Sequence, residues 1–285
     1  MCVTCGCANS GEAIVETHEW RAHRGPDGHE HVHADGTRHT HAHSRPHTHP
    51  HTRAGGARGG HAPAADTGLV RLEQQILGKN QLIAERNRGW FAGRGILALN
   101  LVSSPGAGKT TLLERTLADL KSAIKASVIE GDQATSNDAE RIRATGVEAI
   151  QINTGAGCHL EADMVERALA VLQPEAGSVV MIENVGTLVC PALFDLGERA
   201  KVVIFSITEG EDKPLKYPHM FGAAEVLLLN KMDLAPHLRF DAARAVDNAL
   251  SVNPRLRVFR VSAVTGEGLA PWYAWLRGEL ATARL

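Results

Sequence analysis

An apolar run that leads into a glycine-rich turn constrains the fold of this chain more than any other feature. The run from Ile96 to Val102 is followed directly by Ser103 to Thr111, which reads SSPGAGKTT, and then by a segment with helical character. A strand, a glycine-rich turn and a helix in this order form a phosphate-binding loop, because backbone N–H groups and the positive end of the helix then face phosphate oxygens. The first glycine of the general pattern GxxxxGK[ST] is Ser103 here.

The residues of this loop predict a bound nucleotide. Lys109 supplies a mobile positive charge to the phosphates, and Thr110 offers its hydroxyl to Mg²⁺. The predicted contacts with the nucleotide come from Gly106, Ala107, Gly108, Lys109, Thr110 and Thr111. A chance match to a short pattern is the alternative, which the strand before the loop and the helix after it disfavour.

Short apolar runs alternate with amphipathic segments along the rest of the chain, up to about Leu280. This alternation is typical of a mostly parallel sheet covered by helices on both faces, with ligands bound at the carboxyl ends of the strands. A further helix is predicted from Asp66 to Asn87, ahead of the first strand. We therefore predict an α/β fold of the P-loop NTPase class for residues 66–285.

Residues 1–65 differ from this domain in composition, and Trp20 is their only Phe, Trp or Tyr residue. Twelve of the fifteen histidines lie between His18 and His61, many of them in His-x-His steps. Since a segment so poor in large apolar residues cannot bury a core, we predict that it is largely disordered. Its neutral imidazoles suit a low-affinity store for Ni²⁺ or Zn²⁺. An expression tag is the alternative, which the interleaved Arg, Thr, Pro and Asp residues disfavour.

Three closely spaced cysteines open the chain. Cys2, Cys5 and Cys7 form the pattern CxxCxC, whose thiolates can bind one metal ion. With a fourth, nitrogen donor this set suits planar Ni²⁺ as well as tetrahedral Zn²⁺, so the ligands alone do not select the metal. Three unrelated cysteines are the alternative, which the tight spacing disfavours.

Two segments further along the chain predict the base of the nucleotide. Asn230, Lys231 and Asp233 follow an apolar strand, and the carboxylate of Asp233 can accept hydrogen bonds from N1–H and the exocyclic amine of guanine. Adenine presents no such pair of donors. Ser262 and Ala263 follow a later strand, where the N–H of Ala263 is expected to meet guanine O6. These segments favour GTP and GDP over adenine nucleotides.

Two strand ends carry carboxylates that suit Mg²⁺ and the attacking water. We predict that Asp132 and Glu183 help to hold Mg²⁺, that Asp132 also orients water, and that Gly186 senses the γ-phosphate. Together with Lys109, these two acids are the predicted catalytic residues, and helix-capping or surface roles are the alternatives for them. No water-orienting glutamine follows Gly186, so we expect slow hydrolysis that depends on a partner or on dimerisation.

A second candidate metal site flanks the segment around Gly186. It consists of the adjacent pair Cys158 and His159 together with Cys190, which lies four residues past Gly186. Single cysteines in an α/β domain are mostly small buried hydrophobes, which is the alternative for each of them. The histidine and the position near Gly186 instead predict a metal that is bound or released with the nucleotide state, so that metal affinity and nucleotide state are linked.

Composition excludes several classes of function. The chain has 285 residues and a formal net charge of −2, which argues against nucleic-acid binding through net charge. No apolar run approaches the roughly 18 residues that cross a bilayer, and we recognise no signal peptide. A cytoplasmic location without membrane contact is therefore expected, and the five cysteines are expected to be thiols or metal ligands.

These motifs together resemble the HypB family of hydrogenase nickel-incorporation GTPases, which are P-loop GTPases of the SIMIBI class. The resemblance extends over essentially the whole chain and rests on the His-rich insert and on the strings CxxCGC, NLVSSPGAGKTTLLE, EGDQAT, NTGAGCHLEADMV, ENVGTLVCPALFDLGE, TEGEDKPLKYPHMF and NKMDL. It implies a metal-regulated GTPase that forms a homodimer with GTP and helps to deliver Ni²⁺ to the large-subunit precursor of [NiFe]-hydrogenase. It also implies a partner of the HypA type, a zinc-binding accessory protein.

The resemblance further implies a tight nickel site at the three N-terminal cysteines and a weaker Zn²⁺ or Ni²⁺ site at Cys158, His159 and Cys190. Two alternatives remain open. One is a nickel-delivery GTPase of the urease accessory type, which characteristically carries Cys-Pro-His at its metal site, and the other is a protein that chiefly buffers nickel. Two interpretations also remain open for the charged turn that contains Asp212, Lys213 and Lys216. The turn either reaches the partner subunit or its nucleotide, or it is simply solvated.

Overall fold

The computed structural model describes residues 14–16, 31–32, 38–39, 67–133, 137–155 and 157–285. The chain divides into two units, one of residues 1–17 and 66–285 and the other of residues 18–65. The first unit includes strand β1 (Ile14–Glu16), and the second includes the antiparallel pair β2 (His31–Val32) and β3 (Arg38–His39). Apart from these three short strands, residues 1–65 lie outside the described part of the chain. Their predicted disorder, the histidine store and the metal site at Cys2, Cys5 and Cys7 therefore stay predictions.

A twisted sheet forms the centre of the first unit. Its remaining strands are β4 (Leu97–Ser103), β5 (Ala126–Asp132), β6 (Glu148–Asn153), β7 (Val179–Glu183), β8 (Ala200–Ser206), β9 (Val226–Asn230) and β10 (Arg257–Arg260). Over the described part of the chain the strand order is β1-β6-β5-β7-β4-β8-β9-β10, with β1 antiparallel to β6 and the other pairs parallel. The predicted mostly parallel sheet is confirmed.

Helices cover both faces of this sheet. They are α1 (Thr67–Ala92), α2 (Lys109–Leu120), α3 (Asn137–Ala144), α4 (Ala162–Leu172), α5 (Cys190–Leu193), α6 (Lys213–Lys216), α7 (Pro218–Ala223), α8 (Ala242–Val252) and α9 (Leu269–Ala283), and a 3₁₀ helix spans Met232–His237. The arrangement follows from the fully buried β4, whose side chains alternate between the two faces. Leu99 and Leu101 pack with residues of α2 and α9, whereas Ala98 packs with residues of α1 and α4.

The predicted elements agree closely with the observed ones, although the shortest helices were missed. The helix predicted from Asp66 to Asn87 runs over Thr67–Ala92, and the first predicted strand is shifted by one residue. The helices α5, α6 and α7 are four to six residues long, too short to show a helical period in the sequence. No helix in the described part of the chain combines the length and apolar character needed to span a membrane.

The residue that precedes helix α9 is a glycine, Gly268, and its surroundings leave no room for a side chain. Gly268 has a φ of +72°, and a Cβ atom placed on it would overlap the carbonyl oxygen of Arg260 at the end of β10. The turn between β10 and α9, which contains Ser262 and Ala263, therefore depends on a glycine at this position.

We predict that Gly268→Ala destabilises the protein more than Gly146→Ala does. Gly146 also has a positive φ, +86°, but a Cβ atom there meets nothing within 4 Å. The Gly146 variant is expected to lose about 1–2 kcal/mol of unfolding free energy through backbone strain alone. The Gly268 variant adds an overlap that is expected to cost about 1–3 kcal/mol more. Urea unfolding of both variants measures the difference, and equal losses would contradict the proposed close approach.

Candidate nucleotide and metal sites

The predicted phosphate-binding loop lies between the end of β4 and the start of α2. Gly106 and Gly108 have φ angles of +73° and +90°. Ser103 is buried and its hydroxyl donates to the carbonyl of Ser104 at 2.8 Å. The loop lines an open cavity of about 580 Å³ whose wall also includes Glu130, Asp132 and Gly186, so the loop shares one cavity with the predicted residues Asp132 and Gly186.

Glu183 joins the first turn of α2 to the end of β7. Its Oε1 atom accepts hydrogen bonds from Lys109 Nζ and Thr110 Oγ1, both at 2.6 Å. The residue is fully buried, and its Oε2 atom has no hydrogen-bond partner. A buried carboxylate oxygen without a partner, beside a threonine hydroxyl, is the type of hard oxygen ligand set that Mg²⁺ prefers, so these residues fit the ion.

Glu130 is a third carboxylate at this edge of the sheet, and the sequence motifs did not single it out. It pairs in register with Glu183 across β5 and β7. Burial, together with the negative charges of Glu183 and Asp132, raises the pKa of Glu130 to about 8. Its position directly after the apolar pair Val128 and Ile129 of a predicted strand was the available signal, because a glutamate is rarely buried without a charged or polar partner.

Asp132 and Gly186 both line the cavity of the phosphate-binding loop. Asp132 ends β5, and its Oδ1 accepts from the backbone N–H of Gln133 at 2.7 Å. The polar stretch after it lies partly outside the described residues, which omit positions 134–136. A side-chain carbon placed on Gly186 would lie 3.5 Å from the backbone of Pro105, so the Gly186 segment rests on the phosphate-binding loop.

Asn230 and Lys231 connect the predicted base site to the phosphate-binding loop. Asn230 donates through Nδ2 to the carbonyl of Ala107 at 3.0 Å and accepts at Oδ1 from the N–H of Ala263 at 3.2 Å. Lys231 Nζ donates to the carbonyl of Gly106 at 2.6 Å. The N–H of Ala263, which we predicted to donate to guanine O6, thus already donates to Asn230. A bound guanine would have to share this N–H with Asn230 or displace Asn230 from it.

Ser262 and Asp233 also meet. The hydroxyl of Ser262 donates to Asp233 Oδ1 at 2.6 Å and accepts from the N–H of Thr265 at 3.1 Å. The serine therefore holds the carboxylate in one orientation. Of the five predicted base-site residues, Asn230 and Lys231 therefore contact the phosphate-binding loop, Ala263 contacts Asn230, and Ser262 contacts Asp233.

Cys158, His159 and Cys190 come together although the two cysteines are 32 residues apart. One possible ligand atom from each lies within 4.8 Å of the other two, and all three residues are buried. The two Sγ atoms are 2.7 Å apart, and His159 Nδ1 lies 3.5 Å from Cys158 Sγ. Two thiols and an imidazole fit Zn²⁺ or Ni²⁺.

The environment of His159 keeps its imidazole neutral, as metal binding requires. Burial lowers the pKa of His159 to about 4. The ring packs against Phe194, with 3.9 Å between the centroids and 37° between the ring planes. Its Nε2 atom has no hydrogen-bond partner and lies 3.8 Å from Glu161 Oε1.

The charged turn after β8 is held by ion pairs within the chain. Lys213 Nζ donates to Glu209 Oε2 at 2.5 Å and lies 5.5 Å above the ring of Tyr217. Lys216 pairs with Asp212 at 2.7 Å, and both side chains are largely exposed. Both interpretations of this turn stay predictions.

Comparison with known proteins identifies the family of this chain. Residues 97–260 match the family described as CobW/HypB/UreG, nucleotide-binding domain. The chain is 58% identical over 230 residues to the hydrogenase maturation factor HypB of Rhizobium leguminosarum bv. viciae, which covers 80% of this chain and 76% of that protein. It is 48% identical over 288 residues to the hydrogenase maturation factor HypB of Escherichia coli K12, with coverage of 98% and 99%.

A solved structure is also similar. The crystal structure of HypB from Helicobacter pylori in complex with nickel superposes with a TM-score of 0.67 at 37% sequence identity. The superposition covers 72% of this chain and 96% of that one. Fold and sequence comparisons therefore point to the same relatives.

We predict that Asp233→Asn changes the preferred base from guanine to xanthine. Xanthine carries a carbonyl where guanine carries its exocyclic amine, and the asparagine amide can donate to that oxygen. The variant is expected to lose about 100-fold or more in GDP affinity and to bind xanthosine diphosphate better than the wild type does. Fluorescence titration with both nucleotides measures the change. Asp247→Asn, on an exposed position of α8, is the matched control, and an equal loss for both bases would contradict the assignment.

Proposed function

Since the chain belongs to the HypB group of the CobW/HypB/UreG nucleotide-binding family, we propose that it is a metal-regulated GTPase and nickel metallochaperone for the maturation of [NiFe]-hydrogenase. The observation that carries this proposal is the buried cluster of Cys158, His159 and Cys190 near the Gly186 segment of the nucleotide site. The nickel complex of the Helicobacter pylori relative supports nickel as the cargo.

We assign a role to each polar group of the nucleotide site. Bound Mg²⁺ would neutralise charge on the terminal phosphates, with Thr110, Asp132 and Glu183 as its nearest candidate ligands. Lys109 then binds the β- and γ-phosphates instead of Glu183, and Asp132 orients the attacking water. Gly186 offers its backbone N–H to the γ-phosphate. No glutamine follows Gly186 to orient water, so intrinsic hydrolysis of GTP is slow.

The metal sites act in sequence in this proposal. The histidines of residues 1–65 store Ni²⁺ weakly, and Cys2, Cys5 and Cys7 bind it tightly. The buried G-domain cluster binds Zn²⁺ or Ni²⁺ according to the nucleotide state. A GTP-dependent homodimer, a HypA-type accessory protein and the large-subunit precursor of the hydrogenase complete the delivery in the cytoplasm.

We predict that metal affinity at the G-domain cluster depends on the bound nucleotide. Ni²⁺ and Zn²⁺ affinities of the full chain, measured with GDP and with a non-hydrolysable GTP analogue, should differ by about fivefold or more. The double variant Cys158→Ser, Cys190→Ser keeps the other metal ligands and should bind metal equally with both nucleotides. A wild-type chain with equal affinities would contradict the linkage and favour a protein that only buffers nickel.

A further inference from the structure

Two short segments connect the nucleotide site to the G-domain metal site. The switch segment, residues 184–187, follows Glu183 at the end of β7. The cysteine loop, residues 157–160, carries Cys158 and lies between β6 and α4. Their contacts decide whether a displacement at one site reaches the other.

Thr187 makes the first contact between the two segments. Its Oγ1 atom donates to the backbone carbonyl of Cys158 at 2.9 Å. The preceding residue, Gly186, rests on Pro105 of the phosphate-binding loop. The switch segment therefore contacts the phosphate-binding loop through Gly186 and the backbone of Cys158 through Thr187.

Asn184 makes the second contact. This fully buried side chain accepts at Oδ1 from the backbone N–H of Leu160 at 3.1 Å and from that of Val185 at 3.0 Å. Its Nδ2 atom donates to Asn100 Oδ1 in β4 at 3.2 Å. The residue is thus bonded to the cysteine loop, to the switch segment and to the strand that leads into the phosphate-binding loop.

Leu160 makes the third contact, with the carboxylate edge of the nucleotide site. A Cβ atom placed on Gly131 would lie 2.8 Å from the side chain of Leu160, so the leucine lies directly on the backbone between Glu130 and Asp132. The cysteine loop is therefore held between two segments that carry the Mg²⁺-site carboxylates. It cannot shift independently of them without losing these contacts.

We propose that Asn184 and Thr187 are positioning residues that transmit the nucleotide state to the cysteine pair. Movement of Gly186 toward or away from a γ-phosphate displaces Thr187 and Asn184, and their hydrogen bonds carry the cysteine loop with them. Cys158 then moves relative to Cys190, which begins α5 three residues after the end of the switch segment. This proposal rests on the proposed linkage of metal and nucleotide and names the residues that produce it.

Thr187→Val tests the proposal in the full chain, because valine keeps the shape of threonine and removes only the hydroxyl. Dissociation constants for GDP and for a non-hydrolysable GTP analogue are measured without metal and with saturating Zn²⁺. By reciprocity, the change that Zn²⁺ causes in the ratio of the two constants equals the linkage factor. Cys158→Ser provides the baseline, since it retains the N-terminal ligands.

We expect Thr187→Val to reduce the linkage factor by about threefold or more, the range that one hydrogen bond supplies. Thr187→Ser retains the hydroxyl and should restore the linkage. Thr145→Val is the matched control, because it removes a hydroxyl that donates to the carbonyl of Ile142 at 2.7 Å, at the end of α3. Thermal unfolding of each variant shows whether the fold is retained.

Each outcome decides the proposal. A wild-type linkage that survives Thr187→Val unchanged would overturn the assignment while leaving the proposed function intact. A loss of linkage in Thr145→Val as large as in Thr187→Val would also overturn it, because the effect would then be a general loss of stability. Absence of any linkage in the wild-type chain would overturn the proposed function and this assignment with it.

Discussion

The hydrogen bonds of the buried Glu183 carboxylate with Lys109 and Thr110 are the interaction on which the rest of the site depends. A carboxylate removed from water is costly unless charged and polar donors surround it, and Lys109 and Thr110 supply those donors at 2.6 Å. These bonds hold the first turn of α2 against the end of β7. Because the switch segment begins at the next residue, the phosphate-binding loop and the metal-site contacts share one fixed point in the fold.

Most of the fold could be predicted from the sequence because its elements are long and periodic. Runs such as the one that became β4 alternate with helices whose apolar residues recur at helical spacing, and each was assigned to within a few residues. The short helices α5, α6 and α7 could not be found, since they begin at or near prolines and owe their shape to tertiary packing. The pairing of β1 with β6 likewise depends on residues far apart in the chain.

The candidate site shows the same division between local pattern and tertiary contact. Motif spacing selected Lys109, Glu183 and Asp233 because strand ends and glycine-rich turns are local features. It did not select Glu130, whose pKa is raised first by burial in the folded sheet and then by the charges of Glu183 and Asp132. It also gave no indication of the side-chain contacts of Asn184 and Thr187, which exist only once the cysteine loop and the switch segment are packed together.

The burial of Cys158 and Cys190 has a kinetic consequence. Both sulfurs lie in the protein interior, and the residues are only 8% and 2% exposed. An ion bound between them, as we propose, would reach water only when the surrounding segments part, so its residence time would be set by how often the protein opens and not by equilibrium affinity alone. Such a compartment retains an ion against chelators outside the protein for as long as it stays closed, and it releases the ion within the lifetime of a single opening.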